Sequence, residues 1–176
     1  GKFKAKLKLK NITISGNTEN PYVKDNMQGR ILEIFQSGSS VVLEAGCILE
    51  GNCNTQRKLD GGGAVTVNSG TQLIMEEGSV ICNNKSVTGG AAVRICEGGS
   101  FFMKGGNIRK NAVYARSEEG EYQGLGGAIH NRGKVILMGG RIYENEACNP
   151  EQEEGAGLGG AIYNLSDLKI EGTTID

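Results

Sequence analysis

Residues 62–83 read GGAVTVNSGTQLIMEEGSVICN, and the fold is decided by the return of this stretch further along the chain. Displaced by 28 residues, Ala64, Val65, Val67, Gly70, Leu73, Met75, Gly78, Val80 and Asn83 fall on Ala92, Val93, Ile95, Gly98, Phe101, Met103, Gly106, Ile108 and Asn111. Apolar residues meet apolar residues and glycines meet glycines. Self-similarity at a period of roughly 20–50 residues marks stacked units, none of which can bury its apolar face alone.

With Val80 as the marker position, counterparts stand at Ile14, Ile48, Ile108, Ile142 and Ile175, spaced 28 to 34 residues apart. Three residues after the marker come Asn17, Asn83, Asn111 and Asn145, with Gly51-Asn52 in the second unit. Ahead of it lies a triplet: Leu7-Lys8-Leu9, Val41-Val42-Leu43, Leu73-Ile74-Met75, Phe101-Phe102-Met103, Val135-Ile136-Leu137 and Leu168-Lys169-Ile170. Its outer members are apolar in every copy while the middle one varies, the alternation of a strand with one buried face. Units open with Gly-Gly-Ala-aliphatic at Gly62–Val65, Gly126–Ile129 and Gly159–Ile162, and more loosely at Gly89–Ala92. Paired glycines admit positive φ and tight corners. Short strands, glycine corners and no helical period predict an all-β chain: a right-handed, single-stranded parallel β-helix of about six coils with three short strands each. At ~4.8 Å per coil it stands roughly 24 Å tall.

The 176 residues fit one domain, 1–176. A net charge of −1 gives no electrostatic reason to expect a nucleic-acid partner. No apolar run approaches the ~20 residues of a membrane span, so no membrane insertion is expected, and no secretory leader precedes the first strand. The first unit lacks a Gly-Gly-Ala opening and the last stops at Asp176, neither with a polar cap. The expectation is a fragment of a longer repeat protein, with further coils or domains as neighbours. Cys47, Cys53, Cys82, Cys96 and Cys148 show no CxxC spacing, which argues against zinc; no cofactor or metal is expected.

Asn68, Asn131 and Asn164 share a slot with Cys96, read as a side-chain amide ladder with Cys96 as a small buried filler. Asn83, Asn111 and Asn145 are read as corner residues that tolerate the left-handed region. Lys2, Lys4, Lys6, Lys8 and Lys10 form an outward, charged strand face that deters edge pairing.

Two features are candidates for contact. The middle triplet residue runs Lys8, Val42, Ile74, Phe102, Ile136, Lys169 through the coils, so Val42, Ile74, Phe102 and Ile136 form an outward apolar stripe. Such a stripe is expected to meet a loop, another domain or a second copy. The long connections 113–125 and 146–158 leave one corner of neighbouring coils and should lie side by side. They offer Tyr114, Glu118, Glu119, Glu121, Tyr122, Glu151, Glu153 and Glu154 as a loop-face binding surface. Glu-rich loops without Asp do not read as a calcium site.

Catalysis by a β-helix needs paired carboxylates or a metal with a base. The aspartates, Asp25, Asp60, Asp167 and Asp176, are scattered. His130 is the sole histidine, in an outward slot with Thr66, Arg94 and Tyr163, and is read as surface. No catalytic residue is assigned.

Laid out this way, the chain resembles polymorphic outer-membrane-protein repeats, with their GGA-aliphatic and FxxN motifs, and more broadly the parallel β-helix repeats of bacterial surface proteins and adhesins. Gly62–Val65, Gly126–Ile129 and Gly159–Ile162 carry the first motif and Asn83, Asn111 and Asn145 the end of the second; Val80, Ile108 and Ile142 replace its Phe. The resemblance covers most of the chain from about residue 30. It implies a secreted or surface-displayed, non-catalytic adhesin, stalk or ligand-presenting scaffold, with a glycan or a host or cell-surface protein as partner. A polysaccharide lyase or glycoside hydrolase is the alternative.

Overall fold

The computed structural model describes residues 4–16, 29–54, 62–114, 124–148 and 157–176. Among them every element is a strand, every pairing is parallel, and the whole is a parallel β-helix. Sheet A stacks six strands: Lys6–Leu9, Ser40–Leu43, Gln72–Met75, Ser100–Met103, Lys134–Leu137 and Asp167–Ile170. Sheet B stacks six more: Thr13–Ser15, Ile48–Glu50, Val80–Cys82, Asn107–Arg109, Arg141–Tyr143 and Thr174–Ile175. Sheet C holds Leu32–Ile34, Val65–Val67, Val93–Ile95, Ile129–Asn131 and Ile162–Asn164.

A sheet that the sequence does not announce follows the four middle B strands. Sheet D comprises Cys53–Asn54, Lys85–Ser86, Ala112–Tyr114 and Glu146–Cys148. The chain therefore runs C, A, B, D through four complete coils, flanked by a first coil of A and B and a last of C, A and B. Complete coils have at least four strands rather than three, and the last two coils open on a further short strand, Gly124–Leu125 and Gly157–Leu158, which pair with each other. The D strands are two or three residues long and lack apolar alternation, so periodicity could not reveal them.

The interior is built from the columns that the triplets specify. Leu7, Val41, Leu73, Phe101, Val135 and Leu168 stack in one row of sheet A, and Leu9, Leu43, Met75, Met103, Leu137 and Ile170 in the next. In the middle coils these side chains are buried, each worth roughly 1.5–3 kcal/mol of apolar transfer. At the two ends the same columns open to solvent.

Sheet B corrects the marker column. Its inward row is Ile14, Leu49, Ile81, Ile108, Ile142 and Ile175, so Ile48 and Val80 lie one residue early. The cause is the corner between sheets A and B. It takes four residues in two coils, 44–47 and 76–79, but three in the others, such as 104–106. The additional residues, Cys47 and Ser79, tuck inside with no exposed surface, and each amide closes the turn onto the carbonyl of Glu44 or Glu76.

The asparagines shift with the column. Asn52, Asn84, Asn111 and Asn145 follow it by three residues and form the amide ladder. The Asn111 Oδ1 accepts from the Asn84 backbone N–H at 3.1 Å and from Asn84 Nδ2 at 3.0 Å, and Asn145 Oδ1 repeats this for Asn111. The left-handed corner residues are their predecessors Gly51, Asn83, Lys110 and Glu144, with φ of 53° to 63°. So Asn111 and Asn145 are ladder, not corner, residues.

The ladder expected at Asn68, Cys96, Asn131 and Asn164 is split. Asn131 pairs with Asn164, Nδ2 to Oδ1 at 2.7 Å, but opposite Asn131 in the next coil stands Ile95, with Asn68 and Cys96 one residue later. Here the C-to-A corner changes from four residues, 96–99, to two, 132–133, and Asn131 Oδ1 closes the short one by accepting from Gly133 N–H at 2.9 Å. Cys96 is half-buried rather than a core filler.

Candidate functional site

Two outward rows, one on sheet A and one on sheet C, concentrate the chemistry. On sheet A the register places Lys8, Val42, Ile74, Phe102, Ile136 and Lys169 in a single file, as the alternation requires. Each of the four apolar members is half-buried, because neighbours ~4.8 Å away along the file shield one another. A polar row borders the file on one side: Lys6, Ser40, Gln72, Ser100, Lys134, Asp167. On the other side the corner residues Glu44, Glu76, Lys104, Met138 and Glu171 run alongside, with Lys104 Nζ on Glu76 Oε1 at 2.8 Å. Such exposed pairs add at most about 1 kcal/mol, but they fix a charged rim beside an apolar centre.

On sheet C the outward row is Glu33, Thr66, Arg94, His130 and Tyr163, the slot that the sequence assigns to the surface. The slot is right and the exposure is not: Thr66, Arg94 and His130 are 1%, 3% and 4% exposed. The described chain crosses over this side at Gly62 and at Gly89. Gly62 N–H donates to Thr66 Oγ1 at 2.9 Å, and Gly89 lies so near His130 that a Cβ there would stand 2.7 Å from the ring Nδ1. Only a glycine fits between the imidazole and the crossing backbone. Arg94 Nη1 lies 3.2 Å from His130 Nδ1. Since a guanidinium only donates, Nδ1 accepts, and the imidazole is the neutral tautomer with its proton on Nε2. His130 then meets the Tyr163 ring edge-on at 5.4 Å between centroids. At the far end Arg30 Nη1 links Glu33 Oε1, 3.4 Å, with Thr66 Oγ1, 3.3 Å.

Of the loop-face residues, Glu118, Glu119, Glu121, Tyr122, Glu151, Glu153 and Glu154 lie outside the described residues. Tyr114 does not sit in a loop: it ends a D strand and pairs with Cys148. The two connections do leave and return side by side, through Ala112–Tyr114 on Glu146–Cys148 and Gly124–Leu125 on Gly157–Leu158. Tyr114 shares a polar hollow of about 250 Å³ with Lys85, Lys110, Glu144 and Glu146, and Lys85 Nζ stands 5.7 Å from its ring centre. Burial, then the Glu146 carboxylate, pushes its hydroxyl above the ordinary range.

A second cavity, about 580 Å³ and lined by Leu7, Leu32, Ile34 and Val41, opens at the first coil, where among the described residues no strand stacks on the outer edge of Leu32–Ile34. Sequence reasoning misses this opening and the Arg94–His130 pair, although it places Arg94 and His130 in one slot. All five cysteines are free thiols, and no cluster of three metal-ligand side chains occurs among the described residues. Among the described residues no helix is long and apolar enough to cross a membrane.

Compared with family models, curated proteins and solved structures, the chain finds no match.

Proposed function

We propose that this chain is a non-catalytic β-helix module, displayed at the cell surface or secreted, whose sheet A face holds a partner. The observation that carries the reading is the file Val42, Ile74, Phe102, Ile136 framed by polar and charged rows. A rigid strip with an aromatic near its centre and hydrogen-bonding groups on its rim is how glycan and protein contact surfaces are built. Backbone pairing on both sides holds every member in place, so little order is lost on binding. The engagement of the sole imidazole with Arg94 in a covered row supports a non-enzymatic role. The GGA-aliphatic corners support kinship with polymorphic outer-membrane-protein repeats, and through it an extracellular adhesin, stalk or ligand-presenting scaffold with a glycan or cell-surface protein as partner.

The test is a glycan and surface-protein array probed with the chain and with Phe102→Ser. The expected result is a discrete set of binders lost in the variant. Binding that survives Phe102→Ser, or an array without binders, would overturn the role of this face, and depolymerisation of an arrayed polysaccharide would overturn the non-catalytic reading.

A further inference from the structure

The strip on sheet A is straight, narrow and charge-compensated, and we propose that its occupant is an uncharged, β-1,4-linked glycan ribbon lying along the file. This rests on sheet A being the contact face and narrows that face to one class of ligand.

The file is straight because the ladder makes it so. Val42, Ile74, Phe102 and Ile136 are direct register partners in four consecutive coils, so their side chains recur every ~4.8 Å along the stack. The corners that join sheet A to its neighbours in these coils, such as 96–99 and 104–106, are short, and all of them are described. The openness of the file therefore belongs to the interior of the stack.

A ribbon of gluco-configured pyranoses has the matching chemistry. Its equatorial linkages keep the chain straight, with hydroxyls along both edges and axial C–H groups on both faces. Successive rings turn over, but either face presents C–H to the file, and each ring advances the chain by about one coil spacing. An α-1,4 chain curls and soon leaves a straight file. On the protein, the outward residues two positions before and after the file stand roughly 6.6 Å to either side of it. Ser40, Gln72 and Ser100 offer hydroxyl, amide and hydroxyl to one edge of the ribbon, and Glu76 and Lys104 face the other. An apolar centre with hydrogen-bonding groups placed beside it is how a site holds a polar ligand in one orientation.

Size and charge select among partners. The strip covers about 250 Å², well short of the ~800 Å² per partner of a standard protein–protein contact, and so suits a slender chain. Its charges are already matched: Lys104 holds Glu76 at 2.8 Å, Lys8 holds Glu44 at 3.5 Å, and Lys134 stands beside Asp167 in the register. A strip without unspent charge gains nothing from a charged ligand, which favours a neutral sugar over an acidic one.

Isothermal titration of the 176-residue chain with cellotetraose, chitotetraose and maltotetraose tests this at about 0.05 M and about 0.5 M salt. The two β-1,4 tetramers should bind roughly ten-fold or more tighter than maltotetraose, and equally at both salt concentrations. Across the cello series affinity should climb with each ring up to four, one for each apolar file residue, and then level off. Phe102→Ser and Ile74→Ser should each lose most of the binding and Gln72→Ala part of it. Tyr143→Ser, on the outward side of sheet B, should bind like the parent. Circular dichroism should match the parent in every variant, since all four side chains lie on outer faces. Equal binding of maltotetraose, a steep fall with salt, or no binding of any tetramer would overturn the ribbon. If the tetramers fail while an arrayed protein is lost in Phe102→Ser, the ribbon falls and the contact face stands. If the tetramers bind Phe102→Ser and Ile74→Ser as they bind the parent, the contact face falls as well.

Discussion

The outward rows of sheets A and C occupy equivalent positions on the same coils and have opposite fates. On sheet A the row is apolar and remains half open. On sheet C it is polar, and Thr66, Arg94 and His130 are buried. Strand alternation decides which side of the sheet a residue takes; the path of the chain between coils decides whether that side meets water. Over sheet C the path folds back through glycines at positive φ, Gly90, Gly126 and Gly159 at 61° to 68°, while nothing among the described residues crosses sheet A. Side-chain type is thus a poor guide to exposure wherever a coil doubles over itself.

The sharpest way to test the inward and outward sides against each other lies within one strand. Phe101 and Phe102 are adjacent in Ser100–Met103, the first fully buried in the interior column and the second on the file. Phe101→Ala should cost about 3–5 kcal/mol, because the column above and below it is locked in register and cannot collapse into the cavity. Equilibrium denaturation checks this; a loss no greater than that of an outward substitution would break the distinction between faces.

Next in size is the ladder. Asn111 Nδ2 donates to the carbonyls of Ile81 and Arg109 and to Asn145 Oδ1, and its Oδ1 accepts from Asn84. Asn111→Leu should cost about 1–3 kcal/mol for the stranded groups, and more if neighbouring rungs lose alignment. Asn83→Ala should be milder, since Asn83 is exposed and contributes chiefly its φ of 56°. Equal losses at the two positions would undo the assignment of ladder and corner.

For sheet C, a double-mutant cycle on Arg94→Met and His130→Leu should give a coupling of about 0.5–3 kcal/mol, read from the same denaturation curves. Breaking one partner takes this hydrogen bond from the other in a covered row, whereas removing both relieves that penalty. Strict additivity would mean that the 3.2 Å contact contributes nothing.

The sheet A register is legible to the residue in the sequence, because both flanking positions of every triplet are apolar and a slip of one would turn them all outward. Sheet B reads one residue early in two coils. A valine or isoleucine precedes the true column there, and a corner of four residues instead of three keeps the sequence period while shifting the strand. Searching for Ile or Leu three residues ahead of Asn finds Ile14–Asn17, Leu49–Asn52, Ile81–Asn84, Ile108–Asn111 and Ile142–Asn145 without exception. The D strands and the cover over sheet C have no such signal. Both depend on where the chain goes after a corner, which local apolar spacing does not encode.

The smallest effect belongs to Phe102. Part of its surface is already in water, so Phe102→Ser removes only a fraction of the apolar transfer of a phenylalanine and should cost about 1 kcal/mol or less. The substitution leaves no interior cavity, and serine keeps the strand through its backbone pairing to Gln72–Met75 and Lys134–Leu137. Ser100, two residues earlier, already occupies an outward position of the same strand. A loss near that of Phe101→Ala would mean that the file is an inner layer, covered by some part of the chain in solution and closer in kind to the covered row of sheet C. A loss near zero, together with loss of array binding, would mark a face whose phenylalanine serves contact with a partner rather than the stability of the coil that carries it.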